Sequence, residues 1–149
     1  MTIASQFQFE IGTTPRLGEI FGMSNVGTRS QARGFLHAKI DEVWHSARFT
    51  DWDEEGANAV PLEARDRAHL LADLIPFGIE DPDVSADSDG YLVFEWYRGR
   101  DRLISFLMGG GSVVYYAALL GDAHPNGKVQ FRDRWPKDLI ALIQDVLAA

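Results

Sequence analysis

The spacing of apolar residues changes along the chain and predicts a different element in each part. Near the N-terminus, Phe7, Phe9 and Ile11 alternate with polar residues, which predicts a half-buried strand. Over residues 30–48 the apolar positions instead fall within about 100° of one another on a helical wheel, which predicts an amphipathic helix. Its inner positions are Leu36, Ile40, Val43, Trp44 and Ala47.

Two further helices are marked by prolines at their first positions. Pro61 begins a helix that runs to about residue 75, where Pro76 ends it, and Pro136 begins a C-terminal helix. The inner face of the second helix is formed by Ala64, Ala68, Leu71, Ala72 and Ile75. That of the last helix is formed by Leu139, Ile140, Ile143, Val146 and Leu147.

Between these helices the chain is rich in β-branched and aromatic residues. Residues 91–97, 103–108 and 112–118 predict three consecutive strands, and 84–86 and 128–131 predict two more at the ends. Short links made of turn-forming residues join them, so we expect an antiparallel meander. The fold class is therefore α+β: a meander of three to five strands with two or three helices packed on one face.

The predicted strands are apolar on both faces, so something besides the helices should cover the second face. The N-terminal strand, a loop and a second copy of the chain are the three candidates. We expect one domain over residues 1–149, since its length suits a single core. Within it, the glycine-rich segment 1–34 is predicted to be mobile.

Composition narrows the class of protein. No run of about 18 apolar residues is present, and the N-terminus lacks a basic start followed by an apolar stretch, which predicts a cytoplasmic protein without a membrane segment. The absence of cysteine excludes disulfides and thiolate metal sites.

The charge balance indicates what kind of partner the chain would bind. Twenty-two acidic and fourteen basic side chains give a net charge of −8, which opposes direct nucleic-acid binding. The same charge suits attraction to a protein partner with a basic surface, and it also serves ordinary solubility. A homodimer is a further candidate assembly.

An acidic turn follows the first predicted helix. It contains Asp51, Asp53, Glu54, Glu55 and Gly56. Positions 1, 3, 5 and 6 of a calcium-binding EF-hand loop are matched, but position 12, which needs a bidentate glutamate, is Leu62. The alternative is a solvated turn held by Trp52. We nominate the acidic residues for binding and no residue as a metal ligand.

The histidines also allow both a functional and a structural interpretation. His37, Asp41 and His45 recur every four residues and suggest a metal or proton-transfer site, although the helical wheel favours a solvent-facing polar stripe. His69 also lies on a polar helix face. His124, in a loop between two predicted strands, is the histidine to test first.

Glu95 is a carboxylate within an apolar strand and should share a face with Val93 and Tyr97. An ion pair with a nearby arginine is one explanation. A second is a concave sheet face that contacts a ligand or a protein. That face would present Glu95, Tyr97, Arg102 and Tyr115.

Catalytic signatures are missing. The glycine run at residues 109–111 lies between strands and predicts a hairpin turn rather than a phosphate cradle. The sequence also lacks a Gly-x-Ser-x-Gly elbow, a Walker lysine, an HExxH motif and a CxxC pair. We therefore name no catalytic residue and no cofactor.

Two short patterns carry a resemblance. Residues 52–57 read Trp-Asp-Glu-Glu-Gly-Ala, and residues 90–96 read Gly-Tyr-Leu-Val-Phe-Glu-Trp. The chain resembles, over roughly residues 49–120, a loose group of short uncharacterised bacterial proteins with a Trp-Asp-x-x-Gly-Ala turn and a Gly-x-x-x-x-Glu-Trp strand. The resemblance implies no activity and no site residue.

These observations favour an acidic, non-enzymatic module that inhibits or regulates a protein partner, of the antitoxin, immunity or defence-inhibitor type. One alternative is a small enzyme, such as a nuclease-like toxin, that uses His124 or His37. The other is a small-ligand sensor that uses the aromatic sheet face.

Overall fold

Three helices and five strands follow one another in a computed structural model that describes residues 33–148. Helices α1 (Gly34–Ala47) and α2 (Leu62–Leu74) precede the sheet, and α3 (Lys137–Leu147) follows it. The strand predicted at residues 7–11, and all but the end of the segment predicted to be mobile, lie outside the described residues. None of the helices in the described part is long and apolar enough to cross a membrane.

The strands form one antiparallel sheet in chain order, which confirms the predicted meander. They are β1 (Asp83–Asp87), β2 (Tyr91–Tyr97), β3 (Arg102–Met108), β4 (Val113–Leu120) and β5 (Asn126–Gln130). β4 extends two residues beyond its predicted end, and β5 begins two residues before its predicted start. The reason is a tight turn, in which Ala117 pairs with Asn126 and Leu120 forms a bridge with Ala123.

All three helices pack on one face of this sheet, which we call the helical face. Along β2 its side chains are Leu92, Phe94 and Trp96, and each helix contributes residues to the same core. The main helix residues in that core are Leu36, Ile40, Ala64, Leu71, Leu139 and Ile143. The prediction of helices packed on one face is therefore confirmed.

Trp96 lies at the centre of the core and is fully buried. Its ring meets those of Phe106 and Trp135 edge to face, with centroids 5.9 and 6.1 Å apart, a favourable arrangement for aromatic quadrupoles. The two indole N–H groups donate to the backbone carbonyls of Glu80 at 2.8 Å and of Leu71 at 3.1 Å. The core thus buries its largest side chains without leaving their polar atoms unsatisfied.

Arg33 fastens the beginning of α1 to the loop between α2 and β1. Its guanidinium is paired with the carboxylate of Asp81 and donates to the backbone carbonyls of Pro76 at 3.2 Å and Ile79 at 3.1 Å. Burial raises the pKa of Asp81 above its ordinary value, although Arg33 opposes the rise. This buried ion pair fixes the loop that also forms one wall of the site described below.

The loop between α1 and α2 rests on the turn between β1 and β2. The backbone N–H of Asn58 donates to the carbonyl of Ser88 at 2.8 Å. Gly90 in this turn has a φ of +97°, and a Cβ placed there would lie 3.1 Å from the carbonyl oxygen of Ala59. Both the backbone conformation and the close approach therefore require glycine.

We expect Gly90→Ala to lower the free energy of unfolding by about 1–3 kcal/mol, because it strains the backbone and crowds Ala59. Gly111→Ala is the matched control, since a Cβ at Gly111 meets nothing within 4 Å. Urea unfolding of both variants checks this expectation. Equal stability of the two variants would contradict the close packing of the loop on the turn.

Candidate functional site

The second face of the sheet carries the candidate site, and we call it the outer face. Strand alternation and the register, in which Glu95 lies opposite Ser105 and Ser105 opposite Ala117, define its members on β2, β3 and β4. They are Tyr91, Val93, Glu95, Tyr97, Leu103, Ser105, Leu107, Val113, Tyr115, Ala117 and Leu119.

The outer face has a buried centre and an aromatic margin. Val93, Glu95 and Ser105 are buried, whereas Tyr97 and Tyr115 are 41% and 42% exposed. The described helices all pack on the helical face. The predicted covering of this second face by the N-terminal strand, a loop or a second copy of the chain stays a prediction. The two tyrosines present large, partly apolar side chains of the kind that is enriched in protein interfaces.

Glu95 and Asp83 place two carboxyl groups side by side. They are direct cross-strand partners, and the Ser105 hydroxyl donates to Glu95 Oε2 at 2.8 Å. Burial raises the pKa of Glu95 to about 7; the bond from Ser105 opposes the rise and the charge of Asp83 adds to it. Burial, with a contribution from Glu80, raises the pKa of Asp83 to about 6. The two carboxyl groups therefore change their protonation between about pH 6 and about pH 7.

These carboxyl groups line an acidic groove of about 230 Å³ at the β1 side of the outer face. Its lining is Glu80, Asp81, Asp83, Glu95, Trp96, Tyr97 and Arg98. Arg98 binds Glu80 through two hydrogen bonds of 3.1 and 2.7 Å, and Arg33 is paired with Asp81. A cationic group is the ligand whose charge best suits the carboxyl groups of Asp83 and Glu95.

Two of the arginines that follow Glu95 in the sequence have other hydrogen-bond partners. Arg98 is bound to Glu80. Arg102 is on the helical face, because it occupies the same side of β3 as Ile104, and its guanidinium donates to the backbone carbonyls of Asp145 and Val146 in α3. Arg102 therefore does not join Glu95, Tyr97 and Tyr115, and it holds α3 instead.

The acidic turn between α1 and α2 uses its aspartates to hold its own backbone. Asp51 Oδ1 accepts from the N–H of Gly56 at 2.7 Å, and Asp53 Oδ1 accepts from that of Glu55 at 2.8 Å. Asp51 and Glu54 adopt φ values of 64° and 65°, a conformation that such local bonds help to maintain. Over residues 33–148 no group of three or more carboxylates or histidines could hold a metal ion. The carboxylates of Glu54 and Glu55 are in exposed residues.

The histidines fall into two groups. His45 and His124 are exposed, His45 beside the ring of Trp44 and His124 in the turn between β4 and β5. His37 and His69, which belong to different helices, are hydrogen-bonded to each other. Spacing within one helix suggested His37, Asp41 and His45 as a set, and it missed this contact between helices.

Sequence reasoning also missed Asp83 and Glu80. Each lies next to an apolar or proline-containing stretch, and neither belongs to a recognisable motif. The pairing of Asp83 with Glu95 follows from the register across the turn between β1 and β2. Once that register is known, strand alternation places both carboxyl groups on the outer face.

No protein-family model matches the chain, and neither a curated protein nor a solved structure matches it. The resemblance to short bacterial proteins with a Trp-Asp-x-x-Gly-Ala turn therefore stays a prediction.

We expect the raised pKa of Glu95 to make the protein less stable as pH rises. The folded carboxyl keeps a proton up to about pH 7, whereas its ordinary value is 4.5, so stability falls between these two pH values. Glu95→Gln keeps an acceptor for Ser105 but cannot ionise. The substitution should reduce the fall in the free energy of unfolding by about 2–3 kcal/mol.

Urea unfolding from about pH 4.5 to 8 measures the effect. Glu42→Gln is the control, because Glu42 is an exposed carboxylate on α1. Parallel pH profiles for the wild type and Glu95→Gln would contradict the burial of an ionisable carboxyl at this position.

Proposed function

We propose that the chain is an acidic, non-enzymatic module that binds a protein partner with a basic surface, and thereby inhibits or regulates it in the manner of an antitoxin, immunity protein or defence inhibitor. The observation that carries this proposal is the acidic groove beside Glu95, bordered by the exposed Tyr97 of the outer face. It combines an aromatic contact surface with a receptor for a positive charge.

The aromatic part supplies contact area. Tyr97 and Tyr115 lie on β2 and β4, and each leaves about two fifths of its surface exposed. Tyrosine is enriched among the residues that dominate binding energy, because it buries a large ring at a small cost in conformational entropy. The regular sheet beneath holds both rings at fixed positions, which favours a partner of complementary shape.

The charged part supplies selectivity. A lysine or arginine side chain of the partner that enters the groove would meet Asp83 and Glu95. Burial raises the pKa of both groups, and a neighbouring carboxylate adds to each rise: Glu80 beside Asp83, and Asp83 beside Glu95. The positive charge would favour ionisation of both groups and release their protons. The net charge of −8 adds long-range attraction to a basic surface.

Removing the two exposed tyrosines tests the contact surface. We expect Tyr97→Ala together with Tyr115→Ala to weaken binding of a host protein captured by the full chain by at least tenfold, as is typical of interface hot spots. Phe49→Ala is the control, since Phe49 is an exposed aromatic in the loop between α1 and α2. Quantitative mass spectrometry identifies the protein, and titration of the purified pair measures its affinity.

Loss of capture in both variants would indicate non-specific adhesion, and retention in both would exclude the outer face. If Tyr97 and Tyr115 are already protected from solvent in the free chain at every concentration, the predicted N-terminal strand covers the outer face. Protection that appears only as concentration rises would identify a second copy. Either result would contradict the proposal.

The pH dependence of binding tests the groove. Because Asp83 and Glu95 must lose protons to receive a cation, we expect affinity for the partner to increase several-fold from about pH 5.5 to 8. The double variant Asp83→Asn, Glu95→Gln should bind more weakly at pH 8 and lose this dependence. Calorimetry in buffers of different ionisation enthalpy would detect the released protons. Unchanged pH dependence in the variant would exclude the groove.

A small cationic ligand is the second candidate for the same groove, because its volume of about 230 Å³ suits an amine. Thermal shift with spermidine tests it, and stabilisation that Glu95→Gln abolishes would favour a sensor. The enzyme alternative has less support, since both ring nitrogens of His37 are already hydrogen-bonded, to Asp73 and to His69. An unchanged biological effect of the variant His124→Ala would exclude His124, the other histidine of the enzyme alternative.

A further inference from the structure

A chain of hydrogen bonds joins α1 to α2. His37 Nδ1 and His69 Nδ1 are 2.7 Å apart. His37 Nε2 is 2.7 Å from Asp73 Oδ1, and His69 Nε2 is 2.8 Å from Asp41 Oδ1. Arg65 extends the chain, with its Nε 3.0 Å from the same oxygen of Asp41. All four imidazole nitrogens are therefore within hydrogen-bond distance of a partner.

The two imidazole rings meet edge to edge. Their planes differ by 13°, and their centroids are 4.9 Å apart, which is 2.2 Å more than the 2.7 Å between the Nδ1 atoms. This difference is about the sum of the two distances from ring centre to ring nitrogen, so both Nδ1 atoms lie close to the line between the centroids. The geometry is that of a straight N–H···N hydrogen bond.

The same geometry argues against a metal ion between the rings. An ion needs about 2.0–2.1 Å to each imidazole nitrogen, so an ion on the line between these atoms would require them to be roughly 4 Å apart. A bent arrangement would require both rings to turn so that their lone pairs converge. The observed 2.7 Å fits a shared proton.

The number of protons follows from the number of hydrogen bonds. Each carboxylate accepts a hydrogen bond from an Nε2–H group, and the bond between the Nδ1 atoms needs one more N–H, so three N–H groups are required. Two neutral imidazoles supply only two. Two imidazolium ions supply four, which would set two N–H groups against each other. Only the singly charged pair satisfies all three bonds.

We infer that His37 and His69 form a proton-binding site, in which one proton shared between their Nδ1 atoms joins α1 to α2. Asp41 and Asp73 balance the added charge, one from each helix, and Arg65 offsets part of that balance. The charge of His37 also acts on Asp81, where it favours the ionised carboxylate that is paired with Arg33.

The electrostatics of Asp41 agree with a positive neighbour. Burial raises the pKa of Asp41, but hydrogen bonds and positive charge from His69 and Arg65 outweigh it and place the value below the ordinary one. A carboxylate held in its charged form is a constant acceptor for the His69 Nε2–H.

The shared proton couples proton binding to the contact between α1 and α2. Without it, one of the three hydrogen bonds of the chain lacks its N–H donor, so the contact between the two helices is weaker.

The first measurement uses the unmodified chain. Nitrogen-15 NMR of the imidazole groups at about pH 7 should show protonated Nε2 atoms in both His37 and His69, and Nδ1 signals between the protonated and unprotonated types. An ordinary neutral imidazole in each residue, with one unprotonated and one protonated nitrogen and no coupling between the rings, would overturn the inference.

The second measurement is urea unfolding of variants at about pH 7. His37→Asn and His69→Asn should each remove the stabilisation that the shared proton gives, and the double variant should differ little from either one, because the proton belongs to the pair. His45→Asn, on the exposed side of α1, is the control. Additive effects of the two single variants would overturn the shared proton even if the fold is weakened.

Discussion

The alternation of side chains along β2 determines the arrangement of both the core and the candidate site. Phe94 and Trp96 point into the core beneath the helices, while Val93, Glu95 and Tyr97 point to the outer face. Because adjacent residues of one strand serve opposite faces, the position of Glu95 cannot change without moving Trp96. The packing of the largest buried aromatic residue thus fixes the position of the buried carboxyl.

The loop before β1 connects the two faces. In this loop the backbone carbonyl of Glu80 accepts a hydrogen bond from the indole N–H of Trp96, and the carboxylate of Glu80 accepts one from Arg98. One and three residues further on, Asp81 and Asp83 line the acidic groove, and Asp81 is held by Arg33 at the start of α1. The groove is therefore a consequence of how α1, the loop and β2 close the core, and each of its walls is anchored to buried structure.

Elements were easier to predict from sequence than the contacts between them. The limits of β2 were predicted correctly, because a run of aromatic and β-branched residues is bounded by turn-forming residues on each side. The site depends on register and on contacts between helices, which local patterns do not encode. Asp83 and Glu95 are twelve positions apart in sequence, and His37 and His69 belong to helices whose relative rotation is set by core packing. Arg102 is a further case, since only the register that pairs Glu95 with Ser105 places Arg102 on the opposite face from Glu95.

Two kinds of charge arrangement coexist in this small domain. Around Asp83 and Glu95, burial and, to a smaller extent, neighbouring carboxylates raise the pKa values of both groups. Between α1 and α2, carboxylates, imidazoles and one guanidinium are joined in a chain of hydrogen bonds, in which Asp41 is held in its charged form. The first arrangement leaves an attraction for a positive charge, and the second satisfies its own charges. This contrast is why we assign binding to the groove and proton storage to the helices.

Hydroxyl-radical footprinting of the full chain, with and without its captured protein partner, tests the assignment of binding to the outer face most directly. The account predicts that Tyr97 and Tyr115 react in the free chain and become protected in the complex, while Phe49 reacts equally in both. Unchanged reactivity of both tyrosines in a stable complex, with protection confined to residues on the helices, would contradict it.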